Sequence, residues 1–205
     1  MFDPQADGAA FRSKYGLDGK FVVSYAGAHG ISNDLGVVLQ AAAELRDCPE
    51  VTFVLVGDGK EKANLQARAQ ALGLSNLIFS PPVSKTEMTD VLAGSDACVA
   101  ILMPLELYKT TYPNKVFDYM AAGRPVVLAI DGVIRQVVEQ ANAGLFAAPG
   151  DAHALAEAVR ALNADRAAAR QMGMDGRRSI ETSFNRAALA EQLALILEDM
   201  RRIDG

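Results

Sequence analysis

The chain has 205 residues, of which 50% are hydrophobic and 22% charged, and it carries a net charge of −5. That balance describes a folded domain with a substantial core and excludes a disordered chain, and the acidic total argues against a broad nucleic-acid-binding face. Two cysteines and two histidines are too few for a disulfide framework or a histidine-based metal cluster, and no apolar run reaches the roughly 18 residues that a membrane span needs.

The first residues, Met-Phe-Asp-Pro, are turn-like and do not read as a signal peptide, so a cytoplasmic protein is expected. Turn signals at Asp3–Pro4 and Asp7–Gly8 mark residues 1–16 as a leader or interdomain linker, which leaves 17–205 as the folded domain. Residues 21–26 then read as a strand and 33–46 as a helix. A second strand at 51–56 leads through Gly57, Asp58 and Gly59 into a helix ending near 72. A short strand at 77–79, a helix at 85–93 and a strand at 97–102 follow. Next come a proline-opened helix at 113–122, a strand at 125–130, a helix at 131–142 and a short strand at 145–147, before a turn at 149–151. Such alternation builds a parallel sheet from βαβ units, so the predicted class is α/β, a doubly wound Rossmann-like sheet. From 152 onward the chain is alanine-rich and helical, with breaks expected near 173–176 and near 185. The last helix, 186–202, carries Leu189, Leu193, Ile196 and Leu197 as one apolar stripe.

Ligands of an open parallel sheet bind beyond the carboxyl ends of its strands. Three loops of this chain lie there. In the first, Gly27 and Gly30 flank Ala28 and His29, and the glycines let a ligand approach the backbone closely. It is not the dinucleotide fingerprint, which would need glycine where His29 and Ser32 stand. An ordinary tight turn fits it equally well. The second loop brings Gly57 and Lys60 to a strand tip, while Lys62 reads as a solvated lysine of a first helical turn. The third is the run TTYPNKVFDYMAAGRPVV at residues 110–127. The unpaired amides of a helix start, with Lys115 in its first turn, suit a phosphate. Asp118 projects from nearly the same face three residues later, where a carboxylate can accept hydrogen bonds from a ribose diol. The same run also fits a capped, partly buried helix of any α/β domain. P-loop, HExxH, CxxC and GxSxG motifs and an Asp-x-Asp pair are absent from the sequence, so a bound diphosphate would be neutralised by helix starts and lysines without metal.

Taken in order, VLVGDG at residues 54–59, Ser95 and Asp96, DYMAAGRPVV at 118–127, AGLF at 143–146 and PGD at 149–151 resemble the C-terminal, donor-binding domain of GT-B glycosyltransferases. The closest group is glycosyltransferase family 4, also called group 1, and the resemblance runs from about residue 21 to the end. It implies one half of a GT-B fold with C-terminal helices, and transfer with retention from a nucleotide-sugar, favoured as UDP-linked. It implies no cofactor and no metal, and a bacterial surface-polysaccharide or lipopolysaccharide pathway. The family's acceptor-binding N-terminal domain is missing here, so the chain would bind donor without transferring sugar. Membrane contact would come only through the full-length enzyme at the inner face. Nucleic acid is not an expected partner.

The family has two glutamates eight residues apart around the proline-opened helix. The second falls on Asp118, facing the ribose, and the first on Thr110, which is not an acid. Thr110, Thr111 and the backbones of Tyr112 and Asn114 are the implied substitutes toward the sugar. The family's arginine and lysine after the first glycine loop fall near His29 or Gly30 and near Leu35, and both charges are missing. His29, Lys109 and Lys115 are expected to replace them. Val83 and Val116 complete the implied donor contacts, and no catalytic residue is assigned. Alternatives are a non-catalytic nucleotide-binding regulatory α/β domain and a GT-B-fold sugar-nucleotide epimerase.

Overall fold

A computed structural model describes residues 6–184 together with Phe2, Pro4, Ala190 and Ala194. The helix expected over 186–202, with its stripe from Leu189 to Leu197, therefore lies outside the described residues apart from those two alanines. The described strands are β1 (Phe21–Ala26), β2 (Val51–Val56), β3 (Leu77–Ser80), β4 (Ala97–Ile101), β5 (Val126–Ala129) and β6 (Gly144–Phe146). They form one parallel sheet in the order β3-β2-β1-β4-β5-β6. The order reverses between β1 and β4, where the register holds only Val23 with Ala97 and Ser24 with Cys98. A crevice at that reversal is the usual ligand position in such sheets.

Strands buried on both faces read as continuous apolar runs, and every residue of β1, β2, β4 and β5 is buried. Helices cover both faces. On one, α2 (Leu35–Glu44), α3 (Lys62–Ala71) and α7 (Ala152–Ala164) pack over Phe21, Val23, Tyr25 and Phe53. On the other, α1 (Ala9–Tyr15), α4 (Lys85–Ala93), α5 (Asn114–Ala121), α6 (Val133–Gln140) and α8 (Arg166–Ser183) pack over Val22, Val54, Cys98 and Val126. The doubly wound arrangement is the one the alternation predicts.

Two expectations need correction. Residues 1–16, read as a leader or linker, contain α1, which buries Phe11 and packs against α4. Arg12 pairs with Asp96 and also donates to the carbonyls of Leu17 and Lys20, while Asp96 accepts from the Val22 amide at 2.8 Å. Asp96 is 84 positions away in sequence, so no local pattern signals this anchor. The break expected near 173–176 is also absent, since α8 runs straight through both glycines. A Cβ on Gly173 would lie 2.1 Å from the Gly123 carbonyl oxygen, and one on Gly176 would lie 2.9 Å from the Ala143 Cβ. These glycines bring α8 close to the α5 end of the sheet. The helix boundary falls instead at Asp165, whose carboxylate caps α8 by accepting from the Ala168 amide.

Candidate functional site

The first and second glycine loops pack against each other. The Gly27 amide donates to the Val56 carbonyl at 3.0 Å, the His29 amide to the Asp58 carbonyl at 2.7 Å, and the Glu61 amide to the His29 carbonyl at 3.0 Å. Gly57 has φ +146°, and a Cβ there would sit 1.9 Å from the Gly27 carbonyl oxygen. The missing side chain of Gly57 is thus required by the neighbouring loop. Gly30 precedes a short 3-10 turn, Ile31–Asn33, whose Asn33 amide donates back to the Gly30 carbonyl.

The third loop joins them through α5. This helix buries Val116, Tyr119 and Met120, and no side chain caps its start. The Asn114 and Lys115 amides of its first turn have no intrahelical partner, whereas the Val116 amide donates to the Pro113 carbonyl. Tyr119 ties the helix to the tip of β1, its hydroxyl accepting from the Ala26 amide at 3.0 Å and facing the Ala26 carbonyl at 3.3 Å. Lys115 then reaches across the strand tips. Its Nζ donates to the Tyr25 hydroxyl at 2.8 Å and lies 4.0 Å from the centre of that ring. A Cβ on Gly27 would come within 2.8 Å of the same Nζ. Burial lowers the Lys115 pKa to about 8.

A groove runs from these loops toward α4 and α8. Gly27, Ala28, Gly57, Pro82, Val83 and Met88 line a cavity of about 300 Å³. Val83 and Met88 also border a wider one of about 1100 Å³, which takes in Lys85, Phe117, Asp118 and Phe184. Asp118 is exposed at its edge. Partial desolvation there raises its pKa, and Lys85 opposes the rise.

The structure therefore gathers Gly27, Gly57 and Val83 at one cavity and Val83 and Asp118 at the other, with the Lys115 Nζ at the Gly27 loop, and places others differently. His29 was expected to share the diphosphate charge, yet its side chain is fully buried, with Tyr25 and Phe79 rings 6.2 and 6.1 Å away. Neither ring nitrogen has a hydrogen-bond partner among the described residues. Burial and then Lys62 lower its pKa, so the imidazole is neutral and only its backbone serves the loops. Val116 is also a core residue, and its amide is engaged by the Pro113 carbonyl at 3.0 Å. Lys62, expected in solvent, instead donates to the Gly57 and Ser80 carbonyls at 2.7 and 3.2 Å and so laces the ends of β2 and β3 together. Lys60 is exposed.

Lys109 pairs with Glu106 at 2.7 Å, which raises its pKa, and borders a separate cavity of about 180 Å³ with Met103, Ile130, Asp131 and Pro149. It sits beside Gly132, toward β5, and is not drawn to Lys115. The Thr110 and Thr111 hydroxyls donate within their own turn, to the carbonyls of Leu107 and Tyr108. Tyr112 is exposed with its ring 6.4 Å from that of Phe117, and Asn114 is exposed at the first position of α5. Sequence reasoning missed Tyr25 and Tyr119. Their only signal was an aromatic hydroxyl just before a glycine loop and another four residues after Lys115.

The family described as glycosyl transferases group 1 matches residues 20–165. An Escherichia coli (strain K12) protein that carries the name of a colanic acid biosynthesis glycosyl transferase, WcaI, is 32% identical over 127 residues, or 62% of this chain and 31% of the relative. The chain spans between about a third and a half of the length of the curated relatives it matches. Among solved structures, Anabaena HepE in complex with UDP superposes with a TM-score of 0.84 at 21% identity, over 97% of this chain and 56% of that one. The C-terminal domain of the group 1 family protein LpcC from Francisella tularensis gives a TM-score of 0.77 at 17% identity, over 90% and 96%. At these identities the two structures show the shared fold, one Rossmann-like half of a GT-B enzyme.

Proposed function

The chain belongs to the glycosyl transferases group 1 family, and from that premise we propose that it is the donor-binding half of a retaining, metal-independent glycosyltransferase using a UDP-sugar in bacterial surface-polysaccharide or lipopolysaccharide synthesis. The observation that carries this reading is the place of Lys115. Its ammonium lies at the Gly27 loop against a phenol and an aromatic face, with burial as the cause of its lowered pKa. A diphosphate laid across the start of α5 would supply the missing negative charge. Asp118 stands less than one helical turn further on, beside the groove that passes Val83, where a ribose diol would lie. Charge that develops on a departing diphosphate is met there by fixed amides and one ammonium, an arrangement that favours the transition state.

The exposed side chains Ile31, Leu105, Leu107 and Tyr112 belong to the loops after β1 and β4, and they suit an acceptor-binding half seated over the site. Without that half nothing orients an acceptor, so the chain alone binds donor and does not transfer sugar. Among the described residues no helix is long and apolar enough to cross a membrane. We take the full-length enzyme to work in the cytoplasm, at the inner membrane face where it touches a membrane.

Calorimetry with UDP, several UDP-sugars and NAD tests the reading. UDP is expected to bind, and with equal affinity when EDTA is present. Tight binding of NAD with no response to any nucleoside diphosphate would overturn it.

A further inference from the structure

We propose that Tyr25 is a positioning residue of this site: its hydroxyl and ring hold the Lys115 ammonium at the Gly27 loop without neutralising it, and they keep the Ala28 carbonyl turned away from the anion. The inference rests on the donor-binding reading above and goes beyond it by assigning a role to a buried strand residue.

Tyr25 is the penultimate residue of β1 and is fully buried. Its hydroxyl has a single proton, which it donates to the Ala28 carbonyl at 2.8 Å. The remaining lone pairs are left to accept from Lys115 Nζ, also at 2.8 Å. The same ammonium lies 4.0 Å from the ring centre, well within the range of a cation–π contact. A carboxylate in this place would fix the lysine equally well, but it would cancel its charge and compete with a phosphate. A phenol does not, and burial raises the Tyr25 pKa further, so it stays neutral.

The bond to Ala28 has a separate consequence. A carbonyl oxygen aimed at the groove would repel an anion, and Tyr25 holds this one inward. Tyr119 then fixes the distance between the partners, because its hydroxyl binds the backbone of Ala26, the neighbour of Tyr25. Besides Asp118 on its own helix, which Lys85 opposes, and Lys62 and Asp58, which act on His29, the titratable groups around Lys115 are the two phenols and the His29 imidazole. Burial raises both phenols and lowers the imidazole, so all three are uncharged near neutral pH.

The test compares the parent chain with Tyr25→Phe, Tyr25→Leu, Lys115→Ala and the double variant Tyr25→Phe/Lys115→Ala. UDP affinity is measured by calorimetry from about pH 7 to about 9.5, and uridine affinity by NMR serves as the phosphate-free control. Tyr25→Phe should weaken UDP about fivefold to tenfold, leave uridine unchanged and move the midpoint of the pH profile. Tyr25→Leu, which also loses the ring, should be weaker still, so that phenylalanine is a partial rescue. The double variant should lose less than the sum of the two single losses, because the Lys115 contact is counted in both, and what it loses beyond Lys115→Ala reports the freed Ala28 carbonyl. Equal losses for UDP and uridine with an unmoved midpoint would make Tyr25 merely structural and overturn the proposal. Parent-like UDP binding by Tyr25→Phe would overturn it too and leave the donor-binding reading intact. Failure of the parent chain to bind UDP would overturn that reading itself.

Discussion

Lys115 links protonation to folding and, on the proposed donor-binding reading, would link it to UDP affinity. Its pKa is lowered from 10.5 to about 8 by burial. Between those values the unfolded chain holds more protons than the folded one, so this residue makes stability rise with pH across that window. Binding runs the other way. A diphosphate prefers the ammonium, so UDP affinity is expected to be flat below about pH 8 and to fall above it, by at most about tenfold per pH unit. Calorimetry in buffers of different ionisation enthalpy should show proton uptake on binding near that pH. No uptake would mean that Lys115 does not face the phosphates. Asp118 makes a second, independent case. On the proposed reading, Asp118→Ala would remove hydrogen bonds from the ribose to a charged acceptor, each worth up to about 1.5–3 kcal/mol and less where water substitutes. The variant should therefore lose the preference for UDP over 2′-deoxy-UDP that the parent shows in paired titrations.

At the level of the elements, the sheet was open to reading and its attachments were not. The strands Phe21–Ala26 and Val51–Val56 were readable residue by residue, because a strand buried on both faces is a continuous apolar run between turn residues. The helix at Lys85–Ala93 was equally plain, with Ser84 and Glu87 forming a capping box at its start. Helix α1 was not, since it is held by Arg12 on Asp96 and by a burial of Phe11 that only the folded chain defines. The glycines of α8 misled for a related reason. A glycine is normally a helix breaker, but here it permits a backbone contact that no neighbouring sequence announces. Gly173→Ala is accordingly expected to destabilise the domain, even though alanine is the better helix former by about 1 kcal/mol. Chemical denaturation would show the sign, and a stabilised variant would mean that α8 stands further from Gly123 than described.

Across the whole molecule, the sheet's reversal between β1 and β4 gathers loops from distant parts of the sequence at one mouth. Gly27, Lys115 and Asp118 were candidates from the sequence because of a glycine loop at a strand end, a proline-opened helix start and the family resemblance. The charges were harder to place, because whether a lysine or histidine faces solvent, a carbonyl or the core depends on packing across strands. Lys62 laces two strand ends, His29 is interred as a neutral ring, and Lys109 turns toward Glu106. Each would be counted as positive charge from the sequence, and the structure leaves Lys115 as the cation seated at the Gly27 loop.

The interlock of Gly57 with Gly27 bears on how mutational maps of such folds are read. Any side chain at Gly57 must push aside the backbone of the other loop, so on the proposed reading a substitution there would weaken ligand binding through steric clearance between the loops, even though Gly57 also lines the cavity. Functional sensitivity at this position would report the mutual fit of two turns as well as closeness to the substrate.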